Sequence, residues 1–478
     1  MSKASKAYKS PAMHYVSTRG RAPTLDFEAV TLAGLASDGG LYVPVSWPRL
    51  SAADIAALKG KDYVETAFIV CKPFVGDALS DAEFRALLTK AYGSFRHEAI
   101  TPLVQLDQRN WLLELFHGPT LAFKDVALQL LGLLFEQFLS KRQDHLTVVG
   151  ATSGDTGSAA INALANRAKV DIFMLHPEGR VSDVQRRQMT TVLAPNVHNI
   201  AINGTFDDAQ AMVKAMFGHK EFASRFQLSA VNSINWARLM AQIVYYFYAA
   251  VRLGAPERPV AFSVPTGNFG DVFAGYVAAQ MGLPVAKLIV ATNINDILHR
   301  ALSAGDYSVG HVQPTSAPSM DIQVSSNFER LLFDLAGRDG EKLSAMMASF
   351  DQSRHLSIEA PMRQQAAALF TSARVDGDEM AQTMRWALDK AGQIIDPHTA
   401  IGLAASLRSD LGKAVPIVTL ATAHPAKFRD AVEGATGQRP LLPRHMEDLF
   451  SRPERFVTLP NRLQAVEDYV SAHAKPKA

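Results

Sequence analysis

The alternation of strand, small-residue loop, helix and strand is what most constrains this chain. Between Gln143 and Gly179 a β-branched run, Leu146 to Val149, breaks into GATSGDTGS, passes through an Ala-rich helical run and returns as a second apolar run, Val170 to Leu175. Pro259 to Asn293 repeats the pattern as VAFSV, PTGNFGD, a helical VFAGYVAAQMG and the strand KLIVAT. Near Ile394 to Ala423, DPHTAIGLAASLRS reads as turn and helix and VPIVTLAT as a strand. Adjacent apolar strands joined by helical crossovers have one economical solution, a parallel sheet covered by helices on both faces. The predicted class is therefore α/β, with ligands expected at the carboxyl ends of the strands.

The length of 478 residues and a hydrophobic fraction of 48% imply two or three domains. We expect an N-terminal extension over 1–100, a smaller α/β domain over 101–258 and a larger one over 259–478. In the extension, DGGLYVP reads as a turn into a short strand, and helices start at Ala52 and Asp81. Ser303 to Asn327 is rich in Ser and Pro without periodicity, and reads as a long loop. The first 12 or so residues and the terminal AHAKPKA read as mobile tails.

Charge narrows the function classes. With 48 Lys+Arg against 46 Asp+Glu the formal charge is +2, and no basic run offers a footprint for nucleic acid or an anionic membrane. The single cysteine, Cys71, forms no intrachain disulfide or thiolate cluster. The N-terminal MSKASKAYKSPAMHY has no apolar core of a leader, and no run is long enough to span a bilayer, so the expected location is cytoplasmic. His117, His398 and His424 lack metal-ligand spacing, so no metal is expected.

Five segments carry candidate chemistry. In ELFHGPTLAFKD, a Gly-Pro turn leads to Lys124 at the head of an apolar helix. The positive helix end and burial both disfavour its ammonium form, which suits a lysine that forms a Schiff base; a snorkelling lysine beside Asp125 is the alternative. GATSGDTGS offers hydroxyls and helix-start amides to a carboxylate, and PTGNFGD has the glycine spacing of a phosphate cradle. The first is equally readable as a capped βα turn. NSINWAR groups Asn232, Ser233 and Asn235 with Arg238, and THPAK follows a strand where a hydroxyl would project from its carboxyl edge.

These segments together resemble the pyridoxal-phosphate-dependent serine/threonine dehydratase superfamily with its tryptophan synthase β-like, type II fold, and within it the longer proteobacterial and fungal threonine synthase family. YVSTRG, GLASDGGLYVP, HGPTLAFKD, GATSGDTGSAA, VNSINWAR, PTGNFGD, DPHTAIG and TAHPAKF carry the resemblance over most of the chain. It implies that Lys124 bonds to pyridoxal 5'-phosphate and then shuttles protons. It further implies that Gly267, Asn268, Phe269 and Gly270 hold the cofactor phosphate with Asp271 closing the loop, and that Thr422 meets the pyridine nitrogen. Ser153, Asp155 and Thr156 match the loop receiving the substrate carboxylate, although shorter relatives have Asn in place of Asp155. Asn232, Ser233 and Arg238 match positions that bind the phosphate of O-phospho-L-homoserine.

The implied reaction converts that small-molecule substrate and water into L-threonine and phosphate, in a monomer or homodimer. Several proton transfers by one base call for a lysine free of fixed ion pairs, and for a site closed to water by the N-terminal segment or the small domain. Two rival readings stand beside this one: a serine or threonine dehydratase, which has no substrate phosphate to bind, and a non-catalytic metabolite-binding protein.

Overall fold

The computed structural model describes residues 12–231 and 233–476. Asn232 and nearly all of the expected N-terminal tail lie outside the described residues. Two mainly parallel sheets organise the chain. The larger has the order Phe370–Arg374, Val285–Thr292, Val260–Pro265, Ile417–Ala421, Asn110–Glu114, Leu103–Gln105, with only the last pair antiparallel. The smaller runs Val457–Pro460, Val197–Asn203, Val170–Pro177, Leu146–Ala151, Leu228–Ser229, all parallel. Burial on both faces explains why the inner strands Val170–Pro177, Val260–Pro265 and Ile417–Ala421 read as continuous apolar runs.

Sheet membership corrects the expected boundaries. Leu103–Gln105 and Asn110–Glu114, which lie in the segment assigned to the smaller domain, are strands of the larger sheet, so 258/259 does not divide the two. Val457–Pro460, near the opposite end of the chain, completes the smaller sheet. The helix Leu463–His473 continues from it, Ala474 is buried, and the Lys475 amide donates to Asp171 Oδ2 at 3.0 Å, so 472–476 is docked structure where a tail was expected.

The N-terminal segment is not an appendage. Tyr15, Phe27, Tyr42 and Tyr63 belong to the same apolar core as the central helices. The helix Tyr63–Val75, which the sequence reading passed over, packs on Trp236–Arg252. Thr18 Oγ1 donates to Glu329 Oε1 at 2.6 Å, Arg19 pairs with the same carboxylate at 3.1 Å, and Trp47 Nε1 donates to Asp334 at 2.8 Å. Trp236–Arg252 is apolar nearly all round because it lies inside the molecule, between Lys124–Arg142 and Gly270–Gln280.

Candidate active site

Three adjacent strands of the larger sheet, Val260–Pro265, Ile417–Ala421 and Asn110–Glu114, run parallel and deliver three loops to one carboxyl edge. These are the 265–271 loop, the 422–427 loop and the loop ending at Lys124. Backbone bonds lock the last two together: the Phe123 amide donates to Thr422 O at 2.8 Å and the His424 amide to Leu121 O at 3.0 Å. Across the cleft, Leu146–Ala151 of the smaller sheet ends in the 150–156 loop and the helix Asp155–Leu164.

Lys124 opens the helix Lys124–Arg142 and is 7% exposed. Burial, reinforced by the Arg238 and Lys427 cations and opposed by Asp155, lowers its pKa to about 8. The neighbouring Asp125 is occupied elsewhere, accepting from the amide and hydroxyl of Thr120 at 2.7 Å each, and burial raises it to about 6. The snorkelling alternative therefore fails at both ends: the amine is inside, and Asp125 is not its partner.

Two expectations need correction. Lys124 is not free of ion pairs, since its Nζ lies 3.4 Å from Asp155 Oδ2. Asp155, expected beside a substrate carboxylate, has its own carboxylate turned to cations: Lys427 Nζ at 2.7 Å on Oδ1, with Gln185 Nε2 at 2.8 Å on the same oxygen. Although burial pulls Asp155 upward, Lys427 and Lys124 hold it well below the usual carboxylate range. What this loop still offers an anion is the half-buried Thr156, the exposed Ser153 and the helix start at Gly154. Thr152, which no motif singled out, fixes the turn by accepting from the Gly154 and Gly157 amides at 3.0 and 2.9 Å.

The 265–271 loop has the shape expected of an anion cradle. Phe269 is left-handed, with φ 60°, and caps Gly270–Gln280 while its ring packs in the core against Phe328 and Phe370. Gly267 leaves little room for a side chain: a Cβ there would lie 3.0 Å from Ser319 O and 3.2 Å from Met320 Cα, so the backbone of the facing segment would have to give. The long 303–327 segment forms the opposite wall. Ser325 Oγ donates to Gly267 O at 2.7 Å, and Asn327 Nδ2 donates to Asn268 O at 3.0 Å and Ser233 O at 3.1 Å. Ser233 Oγ shares a hydrogen bond with Ser326 Oγ at 2.9 Å, and Ser326 reaches Asn268 Oδ1 at 3.3 Å. Ser319 links this loop to the lysine, since its Oγ lies 3.4 Å from Asp155 Oδ2 and its amide donates to His398 Nε2 at 3.3 Å. His398 is held in turn by Asp396 at 2.7 Å.

Asp271 differs from expectation. Its carboxyl turns inward, accepting from Tyr245 and Tyr246, and burial raises it to about 7. Its side chain ties the helix start to the core; only its backbone remains on the loop. Arg238 is 4% exposed, burial lowers it to about 10, and its Nη1 has no hydrogen-bond partner among the described residues. Asn235, on the same helix face, is a cap: it accepts from the Ala237 amide at 2.9 Å and donates to Thr31 O at 2.8 Å.

The depressed lysine has a measurable consequence for stability. Between about 8 and 10.5 the unfolded chain holds the Lys124 proton and the folded chain does not, so the stability contributed by this group rises with pH through that window. Below it the cost is on the order of 3 kcal/mol. In cofactor-free protein, Lys124→Met is expected to exceed the parent in urea stability at pH 7, with the gap closing towards pH 10; a gap independent of pH contradicts the assignment.

Three family models match the chain: one described as threonine synthase N terminus over residues 14–92, one as pyridoxal-phosphate dependent enzyme over 95–423, and one as threonine synthase, C-terminal, over 399–470. The chain is 56% identical to a threonine synthase of Pseudomonas aeruginosa over 462 residues, covering 96% of this chain and 98% of that one. It is 44% identical to the threonine synthase of Saccharomyces cerevisiae, covering 88% of each. The solved structure of pyridoxal-phosphate-bound threonine synthase from Brucella melitensis aligns with a TM-score of 0.95 at 52% identity, covering 97% of this chain and all of that one.

Proposed function

The chain belongs to the threonine synthase family of pyridoxal-phosphate-dependent enzymes, and from that premise we propose that it converts O-phospho-L-homoserine and water into L-threonine and phosphate in the cleft between the two sheets. The observation that carries the reading is the buried Arg238, with a nitrogen unpartnered among the described residues and a charge felt at Lys124. A guanidinium kept dry without a full set of acceptors suits an anionic group brought by the substrate.

The residues fit the cofactor. A left-handed turn at a helix start, with tight backbone packing at Gly267, matches a bound phosphate, and the lowered pKa of Lys124 brings its free amine within reach. The amides of Gly267, Asn268, Phe269 and Gly270 would hold the phosphate and Thr422 the ring nitrogen. When bound, pyridoxal phosphate supplies an electron sink that stabilises negative charge beside the substrate's amine-bearing carbon. Lys124, whose lowered pKa of about 8 makes its free amine accessible near physiological pH, would take the proton from that carbon, then one from the next, and return protons after water has added and phosphate has left. Ser153, Thr156 and the helix start would orient the substrate carboxylate, while Ser233 and Arg238 would bind its phosphate.

Incubation of the purified protein with O-phospho-L-homoserine tests the reading: equimolar phosphate and threonine are expected. Release of 2-oxobutyrate from threonine without phosphate chemistry would mark a dehydratase instead. Among the described residues no helix is long and apolar enough to cross a membrane. A cytoplasmic monomer or homodimer is the working unit we favour, and the size of the active species in solution tests the assembly.

Gly267→Ala is expected to weaken cofactor binding at least about tenfold and to cost roughly 1–3 kcal/mol of stability, because the new methyl group meets backbone rather than a movable side chain. Titration of pyridoxal phosphate against visible absorbance, with a melting curve, measures both effects.

A further inference from the structure

We propose that Lys427 governs the charge of Lys124 from a distance: by holding Asp155 from its far side, it prevents that carboxylate from clamping the Lys124 ammonium. It is a positioning residue, since it acts through Asp155. The role presupposes Lys124 as the cofactor-bearing lysine.

The geometry is a row of cation, carboxylate and cation inside the protein. Lys427 stands in the short turn Pro425–Phe428, and its side chain is 0% exposed. Its Nζ spends two of three donors on Asp155 Oδ1 at 2.7 Å and on Thr120 O at 2.8 Å, the latter in the loop that delivers Lys124. Gln185 occupies Oδ1 as well, at 2.8 Å. Only Oδ2 faces Lys124, at 3.4 Å, and Ser319 Oγ shares that oxygen at the same distance.

The asymmetry has a chemical meaning. A carboxylate with one buried cation tight against it and a second at long range has most of its field spent on the first. Around Lys124, Asp155 is the attracting charge, and Arg238 and Lys427 are the repelling ones; His398 acts on Asp155 from the first turn of the helix Pro397–Leu407, behind Ser319. With Lys427 present the free amine that must attack the cofactor is more accessible than Asp155 alone would allow. Without it, Asp155 would have Lys124 as its nearest cation and would hold the proton there. Stability alone does not account for the arrangement, because buried ion pairs are commonly replaced by apolar residues of like volume without loss.

The test uses the full-length chain freed of cofactor. Trace acetylation of Lys124 by acetic anhydride, followed across pH by mass spectrometry, reports the free amine directly. The rate of pyridoxal phosphate uptake, followed by visible absorbance, reports its consequence. The parent should show a midpoint near 8 in both. Lys427→Met should move it up by about one pH unit or more, making labelling and uptake roughly tenfold slower at pH 7. Lys427→Arg should keep the midpoint, and Asp155→Asn should lower it, since Lys124 then faces cations alone. A Lys427→Met protein that melts earlier but keeps its midpoint overturns the proposal. Should that variant not fold, an unmoved midpoint in Asp155→Asn does the same. Covalent uptake retained in Lys124→Ala would instead refute the assignment of the cofactor lysine, while the acetylation midpoints would still judge Lys427.

Discussion

Replacing Lys124 by alanine is expected to lower kcat by roughly 10⁴-fold or more, because in the proposed reaction one amine would both anchor the cofactor and move every proton to and from carbon. Cofactor affinity should fall too, leaving the phosphate cradle to hold it alone. The fold should survive, since Lys124 contributes to the native state a buried and partly discharged cation rather than a tight ion pair. Single-turnover assays with saturating pyridoxal phosphate, together with a melting curve, separate the effects. Turnover within a factor of ten of the parent would mean that another base moves the protons. Added methylamine offers a sharper check, because partial recovery shows that the missing element is an amine and not packing.

The second large effect is expected at Arg238. Removing its guanidinium should reduce kcat/KM for O-phospho-L-homoserine by roughly 10²–10³-fold, the range found when one preorganised donor to a developing anion is lost from a dry site. Arg238→Met makes the cleaner variant, because it keeps much of the volume. That side chain should leave the cofactor-free protein as stable as before or more so, since the arginine it replaces is buried with one nitrogen unpartnered among the described residues. A variant that loses stability and keeps activity would show that Arg238 serves the fold. Lysine at the same position should recover only part of the activity, because a point charge does not reproduce a planar fork of donors.

How far the sequence led depends on the range over which each feature is determined. The strands Leu146–Ala151, Val170–Pro177 and Val260–Pro265, and the helices beginning at Asp155, Gly270 and Pro397, stand where apolar runs and small-residue turns put them. Each of those signals is local. The burial of Lys124 and the left-handed turn at Phe269 likewise follow from residues next to them in the chain.

Lys427 was quoted within its motif and passed over, because nothing beside it in the chain says that it is buried. Its acceptor Thr120 O is 307 positions away. Ser319, Ser325 and Asn327 lie in a segment whose sequence marks a long loop suited to function without pointing to any one residue, and they matter because that segment folds over Gly267 and Asn268. Asp271 was read as part of the loop it follows, whereas the two tyrosines that draw its carboxyl inward come from the helix packed behind it. Domain limits erred for a similar reason: strand pairing is decided by contacts between distant segments, and a linear cut cannot represent sheets whose strands interleave.

That interleaving bears on how the chain is made as well as on how it works. Four strands of the smaller sheet are complete by Ser229, yet its edge strand, Val457–Pro460, is synthesised only after every strand of the larger sheet. For the time needed to synthesise everything in between, the outer edge of Val197–Asn203 presents the backbone groups that Val457–Pro460 later pairs. An unpaired edge is the kind of surface through which nascent chains associate, and long-range pairing is slow to form. The C-terminal strand therefore acts as a late closure, sealing an edge that earlier synthesis leaves open.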